Sequence, residues 1–175
     1  MGIYKEEEGF YKASEEEASE VFSQENKFSS ESEMVLYIEQ HQEEFAQILC
    51  EGSKLLSFQK EFNLRTKTRK MMKGIPNIRV DIAMTLEKEG KQKIWYIEVK
   101  NPRHARTELR NAVAQCLEYK TCVQEDSEIV LISSVYNNIV LVLLREYNLP
   151  INVCFMNKNT YGVYKHVKDG NWSMP

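Results

Sequence analysis

From Ser32 onward, apolar residues recur at helical spacing, at Met34, Val35, Ile38, Phe45, Ile48 and Leu49, and Gly52 supplies a stop, so one helix is expected here. The period then drops to two. Residues 78–87 and 93–100 alternate apolar with polar side chains, and Glu89-Gly90 between them is a turn signal, so the pair reads as an antiparallel hairpin. After Pro102 a second helix is expected, capped by Thr107, with the stripe Leu109, Ala112, Val113, Cys116 and Leu117. Residues 129–133 form an apolar run short enough for a buried strand. A third helix over 137–147 stops before Pro150, another strand covers 151–155, and Tyr161 to Val167 adds an edge strand. Helices alternating with strands read as one α/β domain.

The hairpin carries a geometric consequence. A symmetric turn about Glu89 and Gly90 pairs residues whose numbers add to 179, which sets Asp81 opposite Glu98, Val80 opposite Val99, Ile82 opposite Ile97 and Met84 opposite Trp95. One face becomes apolar, and Arg79, Asp81, Glu98 and Lys100 gather on the other. Directly opposed Cβ atoms lie about 4.5–5.5 Å apart, so two ionised carboxylates there repel unless a cation or proton intervenes. A divalent ion suits that gap, and Lys100, on the same face as Glu98, is placed to orient water or steady phosphate charge. Val99 points away and offers only its backbone carbonyl. The competing reading is a pair of surface acids neutralised by Arg79 and Lys100.

Composition narrows the setting. The chain has 175 residues, 42% hydrophobic and 28% charged, enough for a single core. No run approaches the roughly 20 apolar residues of a membrane helix, and the Lys- and Glu-dotted start lacks the apolar block of a signal peptide, so a soluble, cytoplasmic protein without membrane contact is expected. Cys50, Cys116, Cys122 and Cys154 are too scattered for a disulfide scaffold and lack C-x2-C spacing; His41, His104 and His166 lack H-x3-H spacing. Any metal here would sit on oxygen ligands.

Charge is segregated along the chain. Residues 1–32 carry nine Glu against three Lys, whereas residues 54–110 carry 15 basic and 6 acidic side chains, a local +9 within a chain of net charge −3. We therefore expect an acidic arm over 1–31, followed by one domain over 32–175 whose basic block, with its connector from Arg65 to Lys73, suits a polyanion.

Asp81 followed by Glu98-Val99-Lys100 resembles the PD-(D/E)xK nuclease superfamily, and Gln115 with Tyr119 has the Q-x3-Y spacing of its RecB-like branch. The proline of the motif name stands at Pro76 rather than directly before Asp81. The resemblance implies a restriction-endonuclease-like core: a mixed central sheet flanked by helices in α-β-β-β-α-β order, with a further helix and strand. It implies DNA as substrate and Mg²⁺ or Mn²⁺ as cofactor, held by Asp81, Glu98, the Val99 carbonyl and a first-helix acid. NucS-like and resolvase-like members point to Glu33 for that acid, with Glu44 and Glu51 on the same flank. Lys100 would steer water, Gln115 and Tyr119 would position the lysine or the strand, and a homodimer is expected. Arg79, Arg103, His104, Arg106 and Arg110 are candidate phosphate contacts. The leading expectation is a metal-dependent deoxyribonuclease; the alternative is a noncatalytic nucleic-acid-binding module on the same fold.

Overall fold

The computed structural model describes residues 11–12, 28–64, 78–124, 126–158 and 160–165. Most of the acidic arm, the basic connector from Arg65 to Lys73 and the end of the expected last strand therefore lie outside the described residues. The strands are β1 (Tyr11–Lys12), β2 (Lys54–Asn63), β3 (Arg79–Lys88), β4 (Lys91–Lys100), β5 (Glu128–Ser133), β6 (Asn152–Asn157) and β7 (Thr160–Tyr164). The helices are α1 (Glu31–Gln40), α2 (Gln42–Leu49), α3 (Ala105–Cys122) and α4 (Asn138–Glu146). Among the described residues the strands form one sheet in the order β1-β7-β6-β5-β4-β3-β2. Its centre is parallel, β4 with β5 and β5 with β6; β2–β3, β3–β4 and β6–β7 are antiparallel, and the short edge strand β1 runs parallel to β7.

This is a mixed α/β fold in which α1, three strands, α3 and β5 follow in the α-β-β-β-α-β order that the resemblance implies. Helices α1 and α2 bury Met34, Ile38, Phe45 and Leu49 against Ile82, Met84, Ile97, Val99 and Ile132 on one face. On the other, α3 and α4 pack Leu109, Ala112, Cys116 and Leu144 against Ala83, Tyr96, Leu131 and Phe155. Both faces being covered explains the near-continuous apolar runs of β5 and β6.

The hairpin has the expected register over most of its length: Ile82 pairs Ile97, Met84 pairs Trp95 and Lys88 pairs Lys91. Its turn places both Glu89 (φ 54) and Gly90 (φ 74) in the left-handed region, which glycine adopts freely and glutamate does not. Glu89→Asn is expected to stabilise the protein by about 0.5–1 kcal/mol, read as a small rise in thermal midpoint. A midpoint that stayed put would mean Glu89 is unstrained.

Several expectations are corrected. The first helix is two helices, because His41 (φ −117, ψ 29) interrupts the chain, with its Nδ1 2.8 Å from the Tyr37 carbonyl oxygen and its ring on Tyr37 at 4.3 Å. The helix after Pro102 starts two residues before Thr107, and its entry is tied by Glu108, whose Oε1 accepts from the Arg103 and His104 amides at 3.2 and 2.8 Å. Strand β2 is the first of the three strands that the resemblance implies, but the hydrophobic pattern assigns no strand to residues 54–63. Its register slips between Leu55 and Ser57, so the alternation that would have marked it is interrupted by one bulged residue.

The last correction matters for the site. Val80 does not share a face with Ile82 and Val99; it packs into the α3 core while they pack under α1 and α2. Its β2 partner Phe62 also turns to the α3 side, whereas Phe58 packs under α1 and α2. Between these rows stand Asp81 and Glu61, and Glu61 has φ +48. Both strands thus change face at one row, a non-glycine left-handed residue costing on the order of 1 kcal/mol there.

Candidate functional site

The β3–β4 ladder ends at Ile82 with Ile97. Beyond it the Asp81 carboxylate takes over, its Oδ2 accepting from the Val99 N–H at 2.7 Å. A strand residue's N–H and C=O point to the same edge, and the Lys100 carbonyl accepts from Ser134 on the β5 side at 3.1 Å. The Val99 carbonyl therefore faces β3, toward Asp81. Strand kink and side-chain insertion together bring an acid to where two strands part.

Glu98 is 3% exposed and both its oxygens are held. Oε2 accepts from the Tyr119 hydroxyl at 2.6 Å, and Oε1 lies 2.7 Å from Lys100 Nζ. The Tyr119 hydroxyl is also 3.2 Å from the Arg79 carbonyl oxygen, so α3 is tied to both strands of the hairpin. Burial, then the Glu98 charge and hydrogen bond, raise the Tyr119 pKa well above the ordinary phenol value, so it remains a neutral donor.

Burial and then the charge of Glu98 push the Asp81 carboxyl up to about 6, against the pull of the Val99 N–H and Lys100. For Lys100, burial is the largest influence and acts downward, but the Glu98 hydrogen bond and the charges of Glu98, Glu31 and Asp81 together raise its pKa. Lys100 is consequently an ammonium at neutral pH. It can donate and attract, and cannot take a proton from water.

The helix acid nearest this cluster is Glu31, the first residue of α1, whose Oε1 is 4.0 Å from Lys100 Nζ. Glu33 is occupied elsewhere. Its Oε2 accepts from the Ser29 N–H and hydroxyl at 2.6 Å each, its own N–H donates to the Ser30 hydroxyl, and Oε1 meets Lys158 at 2.8 Å. Lys158 first, then Ser29, hold the Glu33 carboxyl down at about 2. This is a capping arrangement at a helix start. An open cleft of about 480 Å³ lined by Glu31, Ser32, Val35, Leu36, Lys60, Glu61 and Asp81 leads to the cluster.

The structure thus brings Asp81, Glu98, Lys100 and Tyr119 together and adds Glu31, which the sequence reading left one residue outside its helix. Gln115 is exposed on α3, one helical turn before the buried Tyr119. Arg79 contributes a carbonyl; its guanidinium reaches Glu61 at 3.3 Å on the surface. Arg103, His104, Arg106 and Arg110 are exposed around the start of α3. Glu44 is exposed on α2, and Glu51 follows that helix, where its carbonyl accepts from Lys88.

Among the described residues no three His, Cys, Asp or Glu side chains already form a metal cage. The donors nevertheless suit a hard dication: carboxylate oxygens at Asp81 and Glu98, a backbone carbonyl between them, and a repulsion at Asp81 that positive charge would relieve. Ions of this type keep several water ligands and need few from the protein.

No family model matches the sequence and no curated protein matches it. Solved structures to which the chain is similar include an XisH family protein from Nostoc punctiforme and an fdxN element excision controlling factor protein from Anabaena variabilis. Each is 13% identical with a TM-score of 0.44; 69% of this chain is covered in both, with 94% of the first and 93% of the second. Likeness at that level adds nothing to the argument from the site. No described helix is long and apolar enough to cross a membrane.

Proposed function

We propose that the protein is a Mg²⁺- or Mn²⁺-dependent DNA nuclease of the PD-(D/E)xK type. The observation that carries this reading is the convergence of Asp81, Glu98 and the charged Lys100 where β3 and β4 part. Asp81, Glu98 and the Val99 carbonyl would hold the ion, with Glu31 across the cleft as the helix acid. A bound dication lowers the pKa of water and neutralises charge developing on phosphoryl oxygens. Tyr119 fixes the rotamer of Glu98, Lys100 donates toward water or a phosphate oxygen, and the exposed Arg103, Arg106 and Arg110 supply contacts to neighbouring phosphates.

The test is conversion of supercoiled plasmid to nicked or linear forms with Mg²⁺, with Mn²⁺ and with EDTA. Cleavage that needs the ion supports the reading. Salt-sensitive DNA binding without cleavage under either ion would replace it with the noncatalytic module.

A further inference from the structure

We propose that Asn101 is a positioning residue that holds the first turn of α1, and with it Glu31, over the Glu98–Lys100 pair. The proposal rests on the reading of the site given above. Glu31 is 47% exposed at its side chain and its approach to Lys100 is long, 4.0 Å, so that contact is too weak to fix the carboxylate itself. Its position has to be imposed through the backbone.

Asn101 directly follows Lys100 at the end of β4, and its amide is engaged on both sides. Nδ2 donates to the Phe28 carbonyl at 2.7 Å, and Oδ1 accepts from the Ser134 hydroxyl. The Ser134 N–H closes the ring by donating to the Lys100 carbonyl at 3.1 Å. One side chain therefore joins the end of the strand bearing Glu98 and Lys100, the exit of β5, and the segment entering α1. Phe28 stands three residues before Glu31, is 3% exposed, and is set edge-on to Tyr37 at 5.4 Å.

Other ties at this helix start act differently. The Ser29, Ser30 and Glu33 bonds are internal to the helix entry and do not reach the sheet. Lys158 connects Glu33 to the β6–β7 turn through a half-exposed ion pair. Apolar burial of Met34 and Ile38 sets the distance of α1 from the sheet but is non-directional. The Asn101 amide is directional and tied to the strand that carries the site, so it can set the axial position of α1 relative to Lys100.

The experiment measures Mn²⁺ binding by calorimetry on the full chain as wild type, Asn101→Ala, Glu31→Gln and the double variant. Amide hydrogen exchange on the metal-free proteins runs alongside. Asn101→Ala should weaken Mn²⁺ binding roughly tenfold, yet less than about twofold in the Glu31→Gln background, because the two changes act through one carboxylate. The Met34 and Val35 amides should exchange at least tenfold faster while those of α3 keep their protection. Ser134→Ala, which removes one partner and leaves the Phe28 bond, should move both readouts less and in the same direction, and serves if Asn101→Ala does not fold. Equal weakening in both backgrounds, or unchanged exchange at Met34 and Val35, overturns the proposal. Wild type that binds no Mn²⁺ overturns the metal reading of the site instead, and exchange then still decides whether Asn101 holds the helix start.

Discussion

Lys100→Met is expected to lower metal-dependent DNA cleavage by about 10²–10³-fold and to destabilise the metal-free protein by about 3 kcal/mol. Two separate effects combine. The first is catalytic: the ammonium is the positive donor beside Asp81 and Glu98, and methionine keeps the length of the side chain without the charge or its hydrogen bonds. The second is the fate of Glu98, which is 4% exposed at its side chain and would keep only the Tyr119 hydroxyl. Removing one member of a buried ion pair leaves the other uncompensated. For a chain of this length the loss corresponds to roughly 6–12 °C in thermal midpoint in EDTA. Mg²⁺ should restore part of the stability, since a dication can take over neutralising Glu98, but should not restore the rate. Wild-type turnover by this variant would remove Lys100 from the chemistry.

Much of the site could be read because it lies on a regular hairpin. The period-two alternation of 78–87 and 93–100 and the Glu89-Gly90 turn fixed a register that holds from Lys88 with Lys91 to Ile82 with Ile97. At Asp81 that logic stops working, because a side chain replaces a backbone acceptor for Val99 and the strand turns over. Alternation assumes a continuous ladder, and the site is where the ladder ends. Strand β2 escaped for a related reason: its bulge shifts the apolar phase between Leu55 and Phe58. The break at His41 left no trace in the stripe, since Ile38 to Phe45 is seven residues, two helical turns, whether or not the helix is interrupted. Glu31 was lost to an uncertain boundary, and Glu33 was favoured although Ser30 three residues earlier is a capping signal for it. The role of Asn101 depends on residues 73 and 33 positions away, which no local pattern reveals.

The kink and the cluster are parts of one arrangement. A regular β3 would bond its backbone to Val99 and leave Asp81 on a flat face beside Glu98. The turnover at Asp81 and Glu61 instead frees an edge of β4, opens the cleft toward α1, and puts an acid where ionising it is unfavourable. Stability is given up locally at a place where a cation would recover it.

Asp81→Asn is accordingly expected to stabilise the metal-free protein at pH 8 and to abolish cleavage. Folding raises the Asp81 pKa from 3.8 to about 6, so between these values the folded chain keeps a proton that the unfolded chain has lost. Stability then falls as pH rises through about 4 to 6 and stays lower above that range. A rise of that size corresponds to about 3 kcal/mol at most, and solvent screening at this partly exposed carboxyl brings the expected effect to about 1–2 kcal/mol. Asparagine has the same shape, its Oδ1 can still accept from the Val99 N–H, and it carries no charge against Glu98. In EDTA the variant should melt about 2–8 °C above wild type at pH 8, and the two should converge toward about pH 3, where Asp81 is protonated in both states. Added Mg²⁺ should raise the wild-type midpoint and leave the variant nearly unmoved, since the variant lacks the acid that the ion neutralises. A variant less stable than wild type at pH 8 in EDTA would show that Asp81 is stabilised rather than strained in its ionised form, and the electrostatic case for a cation between these acids would fall with it.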